Sequence, residues 1–195
     1  MNATAAKQEK FGQQRQQILD TFIKMLKADG LRAVSMLSLA KNMGISTKTL
    51  YRHFSTKTLL IQAVVELNDK RFNENRMRRM MRRENAHQRI VSASIEWFEL
   101  RNELGERYWH ELQRDYPEVF ILYEQRLESF LERSAEILRP EIRTGLNADY
   151  AMSFLWKAIN EVPTYEECEK FGLTRKDALI QAIDIWVRGS LTMYQ

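Results

Sequence analysis

An all-α fold of about nine helices is predicted by three observations. Seven Gly and three Pro in 195 residues are too few for a β protein, which needs turn residues about every 8–12 positions. Apolar residues recur at three- and four-residue steps along almost the whole chain, the period of an amphipathic helix. Two short capped segments meet at Gly44, a spacing that leaves no room for a strand.

The elements follow in order. Residues 1–11 are polar and lysine-bearing and are expected to be a mobile arm. From Gly12 to Asp29 a first helix places Ile18, Phe22, Met25 and Leu26 on one face, and Gly30 stops it. The stretch Val34–Lys57, VSMLSLAKNMGISTKTLYRHFSTK, holds two short helices and the start of a third. Ser35 can cap the first, because its hydroxyl can accept a hydrogen bond from an orphaned first-turn N–H. Met36, Leu39, Ala40 and Met43 give that helix its apolar face, and Gly44 takes the left-handed turn at least cost. Ile45 plugs the angle, Ser46 caps again, and Leu50 with Phe54 forms the next buried stripe. Phe22, Leu39, Leu50, Tyr51 and Phe54 are the expected core of this three-helix module.

A long helix runs from Thr56 to the low eighties and ends in RMRRMMRRE. Arg76 to Arg83 lie roughly 30–40 Å along its axis from Lys57, at about 1.5 Å per residue. That is too far to share a groove with Lys57, so the run reads as a solvated face or, alternatively, as a site for an acidic ligand or partner. Ile90, Ser94, Trp97 and Phe98 mark the next helix, up to Leu104-Gly105, and Glu106–Arg114 forms a short one. Phe120, Tyr123, Leu127, Phe130 and Leu131 define a long amphipathic helix to Arg139-Pro140. Two more helices, Asn147–Glu161 and Thr174–Tyr194, are separated by Val162-Pro163 and an acidic loop, Glu166-Glu167-Cys168-Glu169.

Composition narrows the function. Residues 1–85 carry 17 Lys/Arg against 7 Asp/Glu, and residues 86–195 carry 13 against 19. A basic half joined to an acidic half is the footprint of a module that meets a polyanion with one end. A single cysteine, Cys168, excludes a disulfide framework within one chain and fits a reducing cytosol. No apolar run reaches transmembrane length, and the first residues have no apolar centre of the kind a secretory signal needs. Enzymatic chemistry finds no support. His110-Glu111 opens as a zinc-protease helix would, but Arg114 stands where the second His is required. Cys168 has no neighbouring base in sequence, and the carboxylates around it make a poor soft-metal site. No catalytic residue, metal or cofactor is expected.

On the second short helix, Thr47, Lys48, Thr49, Tyr51, Arg52 and His53 are all hydrogen-bond donors. With Ser35, Leu39-Ala40, Gly44-Ile45-Ser46, Thr49-Leu50-Tyr51, Phe54, Lys57 and Leu60, this stretch resembles the TetR family of bacterial transcriptional regulators. The family pattern T-x-x-x-I-A-x-x-x-G-V-S-x-x-T-L-Y-x-x-F-x-x-K-x-x-L is matched over roughly residues 12–65; beyond that the resemblance is architectural. It implies a helix-turn-helix DNA-binding domain at 1–55 and a C-terminal helical regulatory and dimerisation domain at 56–195. It also implies a cytoplasmic, nucleoid-associated homodimer that represses transcription from a near-palindromic operator until a small molecule releases it. The partners would be double-stranded DNA, a second copy of the chain and a small-molecule effector, with no membrane. An activator, a dimer controlled by a protein partner, and a helical interaction protein that does not bind DNA are the alternatives.

By resemblance, Ser35, Ser46, Thr49, Tyr51, His53 and Lys57 fall where the family contacts phosphates, while Thr47, Lys48 and Arg52 are the candidate base readers. Lys can donate to guanine O6/N7 and Thr can touch a thymine methyl. The chain departs from the pattern at Leu37, where some relatives place a polar reader, and at Lys48, where many carry Gly. Ala178–Val187 is apolar most of the way round, so this helix either buries a second face against another subunit or is wholly enclosed in its own domain. The expected interface is Tyr150, Phe154, Ala158, Ile183, Trp186 and Leu191. Trp97, Trp109, Phe120, Tyr123, Phe154 and Trp156 are candidates to line a ligand pocket or to be plain core.

Overall fold

A computed structural model describes residues 3–81, 85–160 and 165–192. Among these the chain forms nine α-helices: α1 (Ala3–Asp29), α2 (Met36–Asn42), α3 (Thr47–His53), α4 (Lys57–Met81), α5 (Ala86–Asp115), α6 (Pro117–Leu138), α7 (Ala148–Asn160), α8 (Tyr165–Phe171) and α9 (Arg175–Ser190). A 3-10 turn covers Arg139–Glu141, and an isolated bridge pairs Ile142 with Leu191. No strand occurs among the described residues, and no described helix is long and apolar enough to cross a membrane.

Two local expectations are corrected and a third is met. The arm expected at 1–11 is helical from Ala3; Ala, Lys, Gln and Glu dominate it, and these are strong helix formers. Glu166-Glu167-Cys168-Glu169 belongs to α8 rather than a loop, with acids in its first turn where the helix dipole favours them, and Cys168 is buried. The two helices expected on either side of Gly105 are found as the two segments of α5, which leaves helical geometry there (φ 77°, ψ 159°). The Trp109 indole N–H donates to the Arg101 carbonyl at 2.9 Å, occupying an acceptor next to the break. The Val162-Pro163 break, Arg82, Arg83 and Tyr194 lie outside the described residues.

The helices form two compact units, and the division does not follow a cut at residue 55. One comprises residues 1–70 with 101–123, and the other residues 71–100 with 124–195. In the first, α1 buries Ile18, Phe22 and Leu26, α2 buries Leu39, α3 buries Leu50, and Phe54 follows at its C-cap. Leu60, Ile61 and Val64 of α4 and Tyr108 and Leu112 of α5 complete this core. Tyr51, expected in it, is 48% exposed instead. In the second unit α7 and α9 pack together around Met152, Leu155, Leu179, Ile183, Trp186 and Val187. The Trp186 indole N–H donates to the Ala151 carbonyl at 2.8 Å, giving a buried polar atom the partner it requires.

Candidate functional site

In the first unit the sequence builds α2 and α3 by their caps. The Ser35 hydroxyl accepts from the Ser38 N–H at 3.0 Å, and the Ser38 hydroxyl accepts from the Ser35 N–H at 2.9 Å. This is a reciprocal box that satisfies two otherwise orphaned donors. The Ser46 hydroxyl accepts from the Thr49 N–H at 3.0 Å. Between the helices Gly44 takes φ 64°, a conformation that costs a side-chain-bearing residue energy.

What α3 presents is basic and polar. Lys48, Tyr51 and Arg52 are exposed, as is Ser46 at the cap, while Thr47 and Thr49 are half-buried. On α2, Leu37 is 68% exposed. No described acid lies on α3, so its outer face suits the negative charge of nucleic acid.

Two of the expected phosphate contacts are turned inward. The His53 ring is buried and stacks on Phe11 with centroids 4.0 Å apart, and its Nε2 pairs with the Gln14 side chain at 2.9 Å. Burial, then the charges of Arg52 and Arg15, lower its pKa. The ring therefore favours the neutral form and pins α3 to α1. The Lys57 ammonium donates to the Leu31 carbonyl at 2.6 Å and lies 5.7 Å from the Tyr116 ring centroid. Burial lowers its pKa, with Glu111 and Asp115 opposing.

The Leu31–Arg32 peptide is thereby held from both sides, through a residue that sequence reasoning met only as half of a failed zinc motif. Glu111 is 6% exposed. Its carboxylate accepts from the Arg32 N–H and from the Arg107 Nε–H, each at 3.0 Å. Burial alone would raise its pKa, but these donors outweigh burial and hold the group below its usual range. The segment that leads into the Ser35 cap is thus tied to α5. The 79-residue separation in sequence hides this link.

The second unit contains a cavity of about 140 Å³. Phe72 and Arg76 of α4, Arg89, Ile90, Ser94 and Trp97 of α5, Leu131, Ser134 and Leu138 of α6, and Met152, Leu155, Trp156 and Ile159 of α7 line it. Trp97 stacks edge-on with Trp156 at 5.2 Å and with Phe72 at 5.7 Å. Of the expected lining, only Trp97 and Trp156 are found there. Trp109, Phe120 and Tyr123 pack with one another in the first unit, and Phe154 is 55% exposed. Arg76, expected on a solvated face, lines the cavity instead. The legible signal was its four-residue step from Phe72, which sets the two on one helical face.

The expected dimer residues divide in the same way. Ala158, Ile183, Trp186 and Leu191 are enclosed in the core of their own unit, whereas Tyr150 is 73% and Phe154 55% exposed. Ile185, not among the expected set, is 72% exposed. Among the described residues no three His, Cys, Asp or Glu side chains gather as a metal site would require.

Comparison with known proteins places this geometry. Residues 18–64 match the family model for bacterial regulatory proteins, tetR family. This segment is a TetR-type helix-turn-helix. The nucleoid occlusion factor SlmA of Haemophilus influenzae is 38% identical over 55 residues, 28% of this chain and 25% of that protein. Its namesake from Yersinia enterocolitica is 38% identical over 53 residues, 27% of each chain. The match thus spans about a quarter of the length of these relatives.

Solved structures resemble nearly the whole chain in fold. A protein of Saccharomonospora viridis described as a transcriptional regulator, in complex with choline, superposes with a TM-score of 0.75 at 18% identity, covering 92% of this chain and 98% of that one. FadR from Bacillus subtilis, in complex with stearoyl-CoA, gives 0.71 at 19% identity over 89% and 98% of the two chains. SmeT, the repressor of the Stenotrophomonas maltophilia multidrug efflux pump SmeDEF, gives 0.70 at 20% identity over 91% and 90%.

Proposed function

We propose that this protein is a dimeric, sequence-specific transcriptional repressor of the TetR type, acting in the bacterial cytoplasm on DNA and performing no catalysis. The observation that carries the reading is the TetR-type helix-turn-helix with Lys48, Tyr51 and Arg52 exposed on α3. Such a helix reads base edges in the major groove while flanking residues grip phosphates. Lys48 and Arg52 supply donors for guanine O6/N7, and half-buried Thr47 offers a methyl. Ser35, Ser46, Thr49 and Tyr51 remain the phosphate set, while the burial of His53 and Lys57 favours a supporting role for both.

A second copy would double the interface and give the operator its two-fold symmetry. Support comes from the apolar side chains left outside on α7 and α9, Tyr150, Phe154 and Ile185, which are costly to leave in water at this size. The cavity in the second unit supports control by a small molecule. To release DNA, that molecule must bind the low-affinity conformation more tightly, and DNA must weaken its binding by the same factor. The structural relatives bind ligands as unlike as choline and stearoyl-CoA, so no ligand class transfers from them.

Selection of operators from random duplexes tests the reading. A near-palindromic consensus with a steep salt dependence is expected. Lys48→Ala and Tyr51→Ala should each weaken binding to it by roughly tenfold or more, given 1–3 kcal/mol per good contact. Unchanged affinity in both variants would refute the assignment of α3.

A further inference from the structure

The lining of the second unit's cavity is apolar except for a few side chains, and two of these are cationic. Arg76 enters from α4 and Arg89 from α5. The Nε–H of each is shut off from solvent and has no hydrogen-bond partner among the described residues. A buried donor without a partner is a standing cost that an incoming acceptor removes. Two such donors in one chamber, both on cationic guanidinium groups, ask for an acceptor that is itself anionic.

From this we infer that the cavity binds a small amphipathic organic acid, its carboxylate held by Arg76 and Arg89 and its apolar body lodged among Phe72, Trp97 and Trp156. The inference rests on reading this cavity as the effector site. Three alternatives in ligand chemistry fit less well. A neutral apolar ligand would fill the space but leave both Nε–H groups orphaned. A quaternary ammonium could stack on the aromatic rings, yet would sit beside two like charges. A long acyl chain would extend well outside the cavity, because a space near 150 Å³ takes a body of about one benzene ring. The guanidinium fork also matches the planar geometry of a carboxylate.

Direct binding to the intact protein, by calorimetry and by quenching of tryptophan emission, tests this with benzoate, phenylacetate and hexanoate as probes. Phenylacetamide serves as the neutral isostere and benzyltrimethylammonium as the cation. The expected result is that at least one acid binds, with phenylacetate roughly tenfold or more tighter than phenylacetamide, and the cation more weakly than either. Arg76→Met and Arg89→Met should each bring the acid's affinity down toward that of the amide.

Equal affinity for phenylacetate and its amide in the wild type would overturn the inference, as would failure of all three acids to bind. The wild-type comparison decides the matter even if an arginine variant folds poorly. An acid that binds through both arginines yet leaves operator affinity unchanged would support the site while refuting its role as the effector switch.

Discussion

Glu111→Ala isolates the tie between α5 and the segment that leads into the helix-turn-helix. The carboxylate has two donors: the Arg32 N–H and the Arg107 Nε–H. The Arg107 side chain is 65% exposed, so its pairing contributes at most about 1 kcal/mol. Arg32 is exposed, and its N–H can recover a water, so its bond contributes the net value of a hydrogen bond, about 0.5–1.5 kcal/mol. The sum is a loss of about 1–2 kcal/mol for Glu111→Ala and about half that for Glu111→Gln, whose amide oxygen still accepts one bond.

Hydrogen exchange at the Arg32 amide reads this locally and should accelerate roughly 5- to 30-fold at ~1.4 kcal/mol per decade. Urea unfolding followed at Trp109 reads it over the unit. The pH dependence has a definite sign. Because the folded pKa is depressed, the stabilisation is fully present above the ordinary carboxylate value near ~4.3 and is lost as pH falls through the lower folded value. Glu111→Gln should remove that acid limb. A wild-type exchange rate at Arg32 in Glu111→Ala would refute the reasoning.

Other predictions probe the same molecule elsewhere. Phe154→Arg and Ile185→Arg, both at exposed positions, should shift the protein from dimer to monomer in sedimentation with the fold intact; Trp186→Arg is expected to unfold the unit, since Trp186 is buried. His53 is held neutral by burial and by Arg52 and Arg15, so stability should decline as pH falls from about 6.5 through its lower folded pKa. His53→Gln should flatten that decline in a thermal-melt series. Gly30→Ala combines a φ of 83° with a Cβ placed 2.7 Å from the Arg107 guanidinium carbon. The arginine can move aside, so the cost is mainly the backbone's, about 1–2 kcal/mol, seen as a lower urea midpoint. Lys48→Ala should also reduce the salt slope of operator binding by about one unit if Lys48 touches a phosphate, and relax base preference if it reads a base.

Local signals carried most of the fold into the sequence. Ser35, Gly44 and Ser46 mark the helix-turn-helix because caps and turns depend on a few adjacent residues. The apolar steps of α6 and α7 are legible because burial on one face repeats every turn. Hidden features depend on residues far apart in the chain or on choices between equivalent faces. Glu111 meets Arg32 only after folding. Periodicity says that Trp109 and Trp97 are both inward, but not which one borders a void. The apolar α9 announced two buried faces without revealing that Trp186 serves its own unit while Ile185 faces out. His53 looked like a donor for phosphate because its neighbours are; its partner Phe11 lay in a segment read as an arm.

The unit that carries α3 is assembled from two stretches separated by thirty residues that belong to the other unit. During synthesis, α1 to α3 leave the ribosome before Tyr108, Glu111 and Leu112 exist to finish their core. At about 5–20 residues per second, translation from residue 70 to residue 123 takes roughly 3–11 s. For that interval the helix-turn-helix lacks its anchor at Arg32 and exposes apolar side chains that chaperones recognise. A fragment ending at residue 70 would make that transient condition permanent, and a DNA-binding head cut out there would be incomplete however well its three helices formed.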